Sequence, residues 1–332
     1  MRSIIFNNGN SPKRVFAPET LKILEEVAAL DPQFYTKDAV LADPAAFADV
    51  DYIFSTWGMP VLTEEEIKAA FPNLKCVFYA AGSVQYFARP FLNCGVKVFS
   101  AWAANAVPVA EYTLAQILLA NTGYFHTSIL MSVGKEPESQ VVRGKFPGNY
   151  GVSVGIIGVG MIGRMVIELL KDYKIHVMAY SPSLTEEKAA ALGVERSTIE
   201  EIFKKCLVVS NHMADLPQTK GMLGKELFSS MMPYATFLNT GRGAQVVEAE
   251  LAEVLRERQD LVAVLDVTSP EPPLEDCPFY SIPNCILTPH IAGSLGNEVH
   301  RMSEYMVTEF QHYIKNEPCE YEVTLKMLER MA

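Results

Sequence analysis

Short apolar runs alternate with amphipathic stretches along most of this 332-residue chain. Ser3–Phe6, Tyr52–Ser55, Leu74–Tyr79 and Val96–Phe99 are short and apolar, as buried strands are. Between them, residues 20–30 repeat apolar positions at helical spacing. Leu21, Leu24, Val27 and Ala28 fall on one face, Glu25 and Glu26 on the other. Ala45–Phe47 reads as a short helical turn. Thr63-Glu-Glu-Glu66 is a capping box, opening a helix that Pro72 ends. Strands alternating with helices imply a parallel sheet with helices on its faces.

The second half repeats the rhythm after an interruption. Asn105–Ala120 is a long, largely apolar helix, with Pro108 tolerated in its first turn. Glu111, if buried there, requires a structural partner. Residues 121–150 are more polar and hold Gly134, Pro137, Gly144, Pro147 and Gly148, which suggests an excursion at a subunit interface. Strands are then expected at 152–157, 176–180, 207–210, 235–239, 261–267 and 285–287. Helices are expected at 165–170, 185–192, from a Ser197/Glu200 capping box, at 247–255 and at 297–314.

One stretch within this rhythm carries specific chemistry. Six mostly apolar residues, Val152–Ile157, run into Gly158, Gly160 and Gly163, the G-x-G-x-x-G spacing, and then into an apolar helix. The first glycine permits a tight turn. The second lets the backbone approach a pyrophosphate, and the third lets helix and strand pack closely. The helix start, at Met161 and Ile162, offers free N–H groups to phosphate. The motif alone is weak, but its place between strand and helix points to a dinucleotide. The expected fold is therefore α/β, with two Rossmann-like doubly wound parallel-sheet domains and a cleft between them. Residues 1–101 with 297–332 form the discontinuous substrate domain, and 102–296 the dinucleotide domain. The links near 101–105 and 293–298 are expected to let the cleft close.

Composition narrows the class. With 49% hydrophobic and 20% charged residues the chain can bury full cores. A net charge of −11 argues against nucleic acid or an anionic membrane as partner. The six cysteines form no C-x-x-C pair, which fits free thiols in a reducing compartment and neither a disulfide framework nor a zinc site; no metal is expected. The N-terminus lacks the apolar run of a signal peptide, and no apolar run suits a membrane span. A cytoplasmic protein is expected.

In doubly wound sheets, ligands sit beyond the carboxyl ends of the strands. Arg242, Glu271 and His290 each follow such an end. An imidazole can give or take a proton near neutrality. A carboxylate beside it holds one tautomer and stabilises the charged form. A guanidinium can hold a carboxylate by two parallel hydrogen bonds. Singly, each residue is more simply a surface or loop group. Together, downstream of a dinucleotide motif, they suit reduction of a 2-oxo acid, with His290 supplying the proton.

These segments resemble the D-isomer-specific 2-hydroxyacid dehydrogenases. The likeness rests on Val-Gly-Ile-Ile-Gly-Val-Gly-Met-Ile-Gly (154–163), Asn-Thr-Gly-Arg-Gly (239–243), Leu-Asp-Val-Thr-Ser-Pro-Glu-Pro (265–272) and Leu-Thr-Pro-His-Ile-Ala-Gly-Ser (287–294). Asn105–Glu111 and Val208–Thr219 fit the same pattern. The resemblance implies that Arg242 orients the substrate, Glu271 pairs with a catalytic His290, and Asp266 contacts the nicotinamide amide. It places His212 and Thr240 on the cofactor side and implies a homodimer. The expected reaction interconverts a 2-oxo acid and a D-2-hydroxy acid by hydride transfer. Glutamate as the histidine's partner separates the chain from the formate dehydrogenase branch, which resembles this pattern with glutamine.

Two positions depart from the family pattern. Ser181 stands where an acid commonly binds the adenosine ribose, which leaves NAD and NADP both open. NAD is slightly favoured because no arginine follows closely and Lys188 is the nearest base. In the loop Ala81-Gly-Ser-Val-Gln-Tyr86, Val84 and Tyr86 replace a glycine and an acid. Gly82, Ser83 and Val84 are expected to offer backbone N–H groups to the substrate carboxylate, with Trp57 and Trp102 shaping the pocket or simply packing. The alternative function is a dinucleotide-sensing, corepressor-like protein with little turnover. A methyltransferase would leave Arg242, Glu271 and His290 unexplained.

Overall fold

The computed structural model describes residues 1–329. The strands, in chain order, are β1 (Ser3–Phe6), β2 (Leu30–Tyr35), β3 (Tyr52–Ser55), β4 (Cys76–Tyr79), β5 (Lys97–Ser100), β6 (Tyr150–Ile157) and β7 (Lys174–Tyr180). They continue as β8 (Glu195–Arg196), β9 (Val208–Asn211), β10 (Thr236–Asn239), β11 (Val262–Leu265), β12 (Cys285–Leu287) and β13 (Glu322–Val323). The chain divides into two compact units, residues 1–105 with 294 onward, and 106–293. The first division falls inside the helix Trp102–Asn121, because that helix is continuous through the expected link. Among the described residues no helix is long and apolar enough to cross a membrane.

Unit 1 is a six-stranded sheet in the order β13-β5-β4-β3-β1-β2. The central strands are wholly buried, and Phe54, Phe78 and Phe99 stack across neighbouring strands at 5.3 and 4.8 Å between ring centroids. Phe310, on the helix Val299–Ile314, meets Phe78 edge-on at 5.5 Å and closes one face. Two strands here escape the local pattern. β2 holds Pro32 and lies at the sheet edge, where the missing N–H costs nothing. The preceding helix stops at Ala29, which takes a left-handed φ of 47°. β13 has only two residues and pairs antiparallel with β5, so this sheet is not purely parallel.

Unit 2 is a parallel seven-stranded sheet in the order β12-β11-β10-β9-β6-β7-β8. Two apolar clusters cover its faces, one around Phe203, Phe228 and Phe237, the other around Ile156, Val166 and Ile167. Residues 121–150 are more ordered than their composition suggests and form helices Tyr124–Ser132 and Glu136–Arg143. The expected Ser197/Glu200 cap is shifted by one residue. Thr198 caps and Glu201 completes the box, while Ser197 also bonds the Glu201 carboxylate. Glu111 is exposed, so it needs no buried partner.

Candidate active site

The strands of unit 2 end in one row. Register pairs Tyr180 with Ile157, Ile157 with Asn211, Asn211 with Asn239, Asn239 with Leu265, and Leu265 with Leu287. The candidate residues of this unit follow these strand ends in loops or turns, except Met161 and Ile162, which open the helix after the glycine loop. The chain reverses its direction of strand addition between β6 and β9, the switch point where open α/β sheets bind ligands.

At that point the backbone is tightly packed. A Cβ on Gly158 would lie 2.6 Å from the His212 carbonyl, and one on Gly163 would lie 2.1 Å from the Gly158 oxygen. Gly160 differs: a Cβ there would meet nothing within 4 Å. It precedes the helix Met161–Leu170, which has no side-chain cap. The first helical bond runs from Arg164 N to Gly160 O at 3.1 Å, leaving the Met161 and Ile162 N–H groups without an acceptor among the described residues. Open space over a glycine, beside unbonded N–H groups at a helix start, fits a dinucleotide pyrophosphate. His212 donates its N–H to Ile157 O at 2.7 Å. Its ring exchanges hydrogen bonds with Ser210 Oγ at 2.9 Å and Thr240 Oγ1 at 3.3 Å. Burial lowers its pKa to about 4, so the ring is neutral at pH 7.

On the other side of the switch point the loops lock one another. His290 Nδ1 and Glu271 Oε1 are directly hydrogen-bonded, and Nε2 bonds nothing among the described residues. His290 sits at a left-handed φ of 52°, uncommon for a side chain that is not glycine. Asp266 holds that turn. It is 2% exposed, and its carboxylate accepts Ile291 N and Ala292 N at 2.8 Å each and the Thr288 hydroxyl at 2.5 Å. Expected at the nicotinamide amide, Asp266 here engages both oxygens in the loop that carries His290.

Arg242 lies between the β9 and β11 loops along the same row. Its Nη1 donates to Gly241 O at 2.7 Å, and its carbonyl accepts Asn239 Nδ2 at 3.1 Å. The remaining guanidinium N–H groups bond nothing among the described residues. Behind it, a Cβ on Gly243 would lie 2.0 Å from the carbonyl carbon of Thr268, so the Arg242 turn is wedged against the segment leading to Glu271. Glu248 accepts Ser269 N at 2.7 Å and braces that segment. Asn211 bonds Asn239, and Gln245 bonds the carbonyls of Met213 and Ala214, tying the β9 and β10 loops. Sequence reading missed Glu248, Asn211 and Gln245. A polar residue ending an apolar strand was the one signal for Asn211; Glu248 had none.

In unit 1, Val84 is fully buried. The N–H groups of Gly82, Ser83 and Val84 donate to no described residue. Trp57 carries the Arg14 guanidinium at 5.4 Å, and Trp102 meets Tyr321 edge-on at 5.5 Å.

Residues 131–292 match the sequence profile described as D-isomer specific 2-hydroxyacid dehydrogenase, NAD binding domain. This segment, just under half of the chain, carries the likeness to the D-isomer-specific 2-hydroxyacid dehydrogenase family. The chain is 30% identical over 236 residues to a D-3-phosphoglycerate dehydrogenase of Mycobacterium leprae, covering 70% of this chain and 43% of that protein. A D-3-phosphoglycerate dehydrogenase of Methanocaldococcus jannaschii is 29% identical over 296 residues, 88% of this chain and 54% of that protein. The chain thus spans about half the length of these curated relatives. Its fold is that of the apo D-mandelate dehydrogenase of Rhodotorula graminis, with a TM-score of 0.81 at 18% identity over 97% of both chains. The matched segment falls within the unit formed by residues 106–293.

Proposed function

We propose that this chain interconverts a 2-oxo acid and a D-2-hydroxy acid, using His290 as general acid and base. The observation that carries the reading is the His290–Glu271 hydrogen bond, held beside Arg242 on the strand-end row that also bears the glycine loop. A bound nicotinamide supplies or accepts the hydride. Glu271 fixes Nδ1 as the bonded nitrogen, so Nε2 exchanges a proton with the substrate oxygen. Arg242 presents free guanidinium N–H groups to the substrate carboxylate and the reacting carbonyl. Asp266 holds the left-handed turn that aims the imidazole. For the Gly82–Val84 loop the proposed role is carboxylate binding through its unbonded N–H groups.

A panel of 2-oxo acids with NADH and NADPH, and of D-3-phosphoglycerate and D-mandelate with the oxidised cofactors, tests the reading. Turnover that His290→Ala abolishes supports it. Tight cofactor binding without turnover of any acid replaces it with a dinucleotide-binding protein.

The same reading includes a homodimer in the cytoplasm. Tyr124, Met131, Val133 and Val141, on and beside the two helices after Asn121, are 50–66% exposed, which suits a self-association surface. All six cysteines are free, which suits a reducing compartment. A monomeric mass by light scattering overturns the dimer.

A further inference from the structure

We infer that the pocket beyond the carboxyl end of β7 is a 2′-phosphate subsite, so that this chain prefers NADP(H) to NAD(H). The inference rests on the dinucleotide reading of the glycine loop and extends it.

The adenosine ribose of a dinucleotide lies beyond the second strand of its binding unit, here β7. Gly158 N donates to Tyr180 O at 2.7 Å, so the glycine loop and the end of β7 are joined. No carboxylate occupies the next position. Ser181 does, with its hydroxyl 3.4 Å from that of Ser183. Beside this turn is a cavity of about 260 Å³, lined by Arg164, Lys188 and Ser183 with apolar Val159, Leu184 and Leu192. It has room for a phosphate and no acid in its lining.

The two cations come from different elements and reach the same turn. Arg164 follows the last glycine of the motif and folds back, its Nε donating to Val159 O at 3.2 Å. Lys188, in the helix Glu186–Leu192, donates from Nζ to Ser183 O at 3.3 Å. Neither pairs with a carboxylate among the described residues. Glu186, on the same helix as Lys188, is held by Arg196 Nη1 at 3.0 Å. In a chain of net charge −11, two unpaired cations over one cavity form a local anion site. The sequence suggested that a 2′-phosphate would lack a cation. Arg164 carries no local signal for this role, because it lies before β7, seventeen residues from Ser181 (181 − 164).

Calorimetric titration of the full chain with NADPH, NADH, 2′,5′-ADP and 5′-AMP tests the subsite without turnover. NADPH is expected to bind about tenfold or more tighter than NADH, and 2′,5′-ADP tighter than 5′-AMP, as charge-assisted bonds to phosphate imply. The double variant Arg164→Gln/Lys188→Gln should lose most of that ratio through weaker NADPH binding, with an unchanged melting temperature. Ser181→Asp should reverse the preference by placing a carboxylate against the phosphate. Equal or tighter binding of NADH by the wild type removes the subsite and leaves the dehydrogenase reading standing. Equal weakening of both cofactors in the double variant also removes it. Failure to bind either cofactor overturns both readings.

Discussion

The two halves of the strand-end row in unit 2 are built differently. From β9 to β12 the loops grip one another. Asn211 holds Asn239, Gly243 is wedged against Thr268, Glu248 holds Ser269, Asp266 holds Ile291 and Ala292, and Glu271 holds His290. From β6 to β7 the tight contacts stop at the first and third glycines. Gly160 faces open space, and Arg164 and Lys188 bond only carbonyls. The groups proposed to move a proton are thus set in place by the chain itself, before any ligand arrives. Those proposed to hold the dinucleotide keep unbonded donors for it. Preorganisation is expected where charge develops during reaction, and free donors where binding energy is collected.

This contrast can be broken or sharpened by substitution. The largest effect should come from His290→Ala, which removes the proton donor from the braced half. Turnover is expected to fall roughly 10²–10⁴-fold with cofactor affinity nearly intact, read by steady-state rates and by titration. A comparable loss of cofactor binding would mean that the two halves do not act separately.

A change of pH should act on stability away from the row. His126 is 6% exposed, its Nε2 is hydrogen-bonded to the Asp260 carbonyl, and burial lowers its pKa from 6.5 to about 4. The unfolded chain therefore binds a proton that the native state refuses. The stability contribution is whole above pH 6.5 and is lost as pH falls toward 4, a total of about 3 kcal/mol at one pKa unit per 1.36 kcal/mol. Denaturant melts at pH 7.5 and 4.5 should show the loss, and His126→Gln should flatten it. An unaltered pH dependence in that variant assigns the titration elsewhere.

Two glycines separate packing from binding more finely. Gly243→Ala places a methyl against the Thr268 backbone and should cost about 1–3 kcal/mol while displacing Arg242 and Glu271, so that stability and rate fall together. Gly160→Ala meets open space and should change stability by less than about 0.5 kcal/mol, yet weaken cofactor binding. If Gly160→Ala also lowers the melting temperature strongly, the open half is less open than its geometry shows.

Much of the fold was readable because helix and strand periods are local. The runs at 52–55, 152–157 and 285–287 became strands, and the capping box at Thr63 formed as written. β2 and β13 were not readable, since an edge strand containing Pro32 and a two-residue strand carry no local pattern. Among the site residues, the pairing of Glu271 with His290 followed from family resemblance and is present in the structure. The bracing by Glu248 and Gln245 was invisible, because each acts on a segment at least twenty residues away (269 − 248) or through backbone carbonyls.

By itself, the sequence determined the alternation of strands and helices, the glycine turn after β6, and the presence of an imidazole, a carboxylate and a guanidinium after strand ends. These depend on side-chain period, on the conformational freedom of glycine, and on residue type, all properties of neighbouring positions. Only the tertiary structure decided that six strand ends stand in one row, that Asp266 holds the turn carrying His290, and that Arg164 and Lys188 share a cavity. Those facts depend on register and on contacts between segments distant in the chain, which long-range pairing sets and no local pattern encodes.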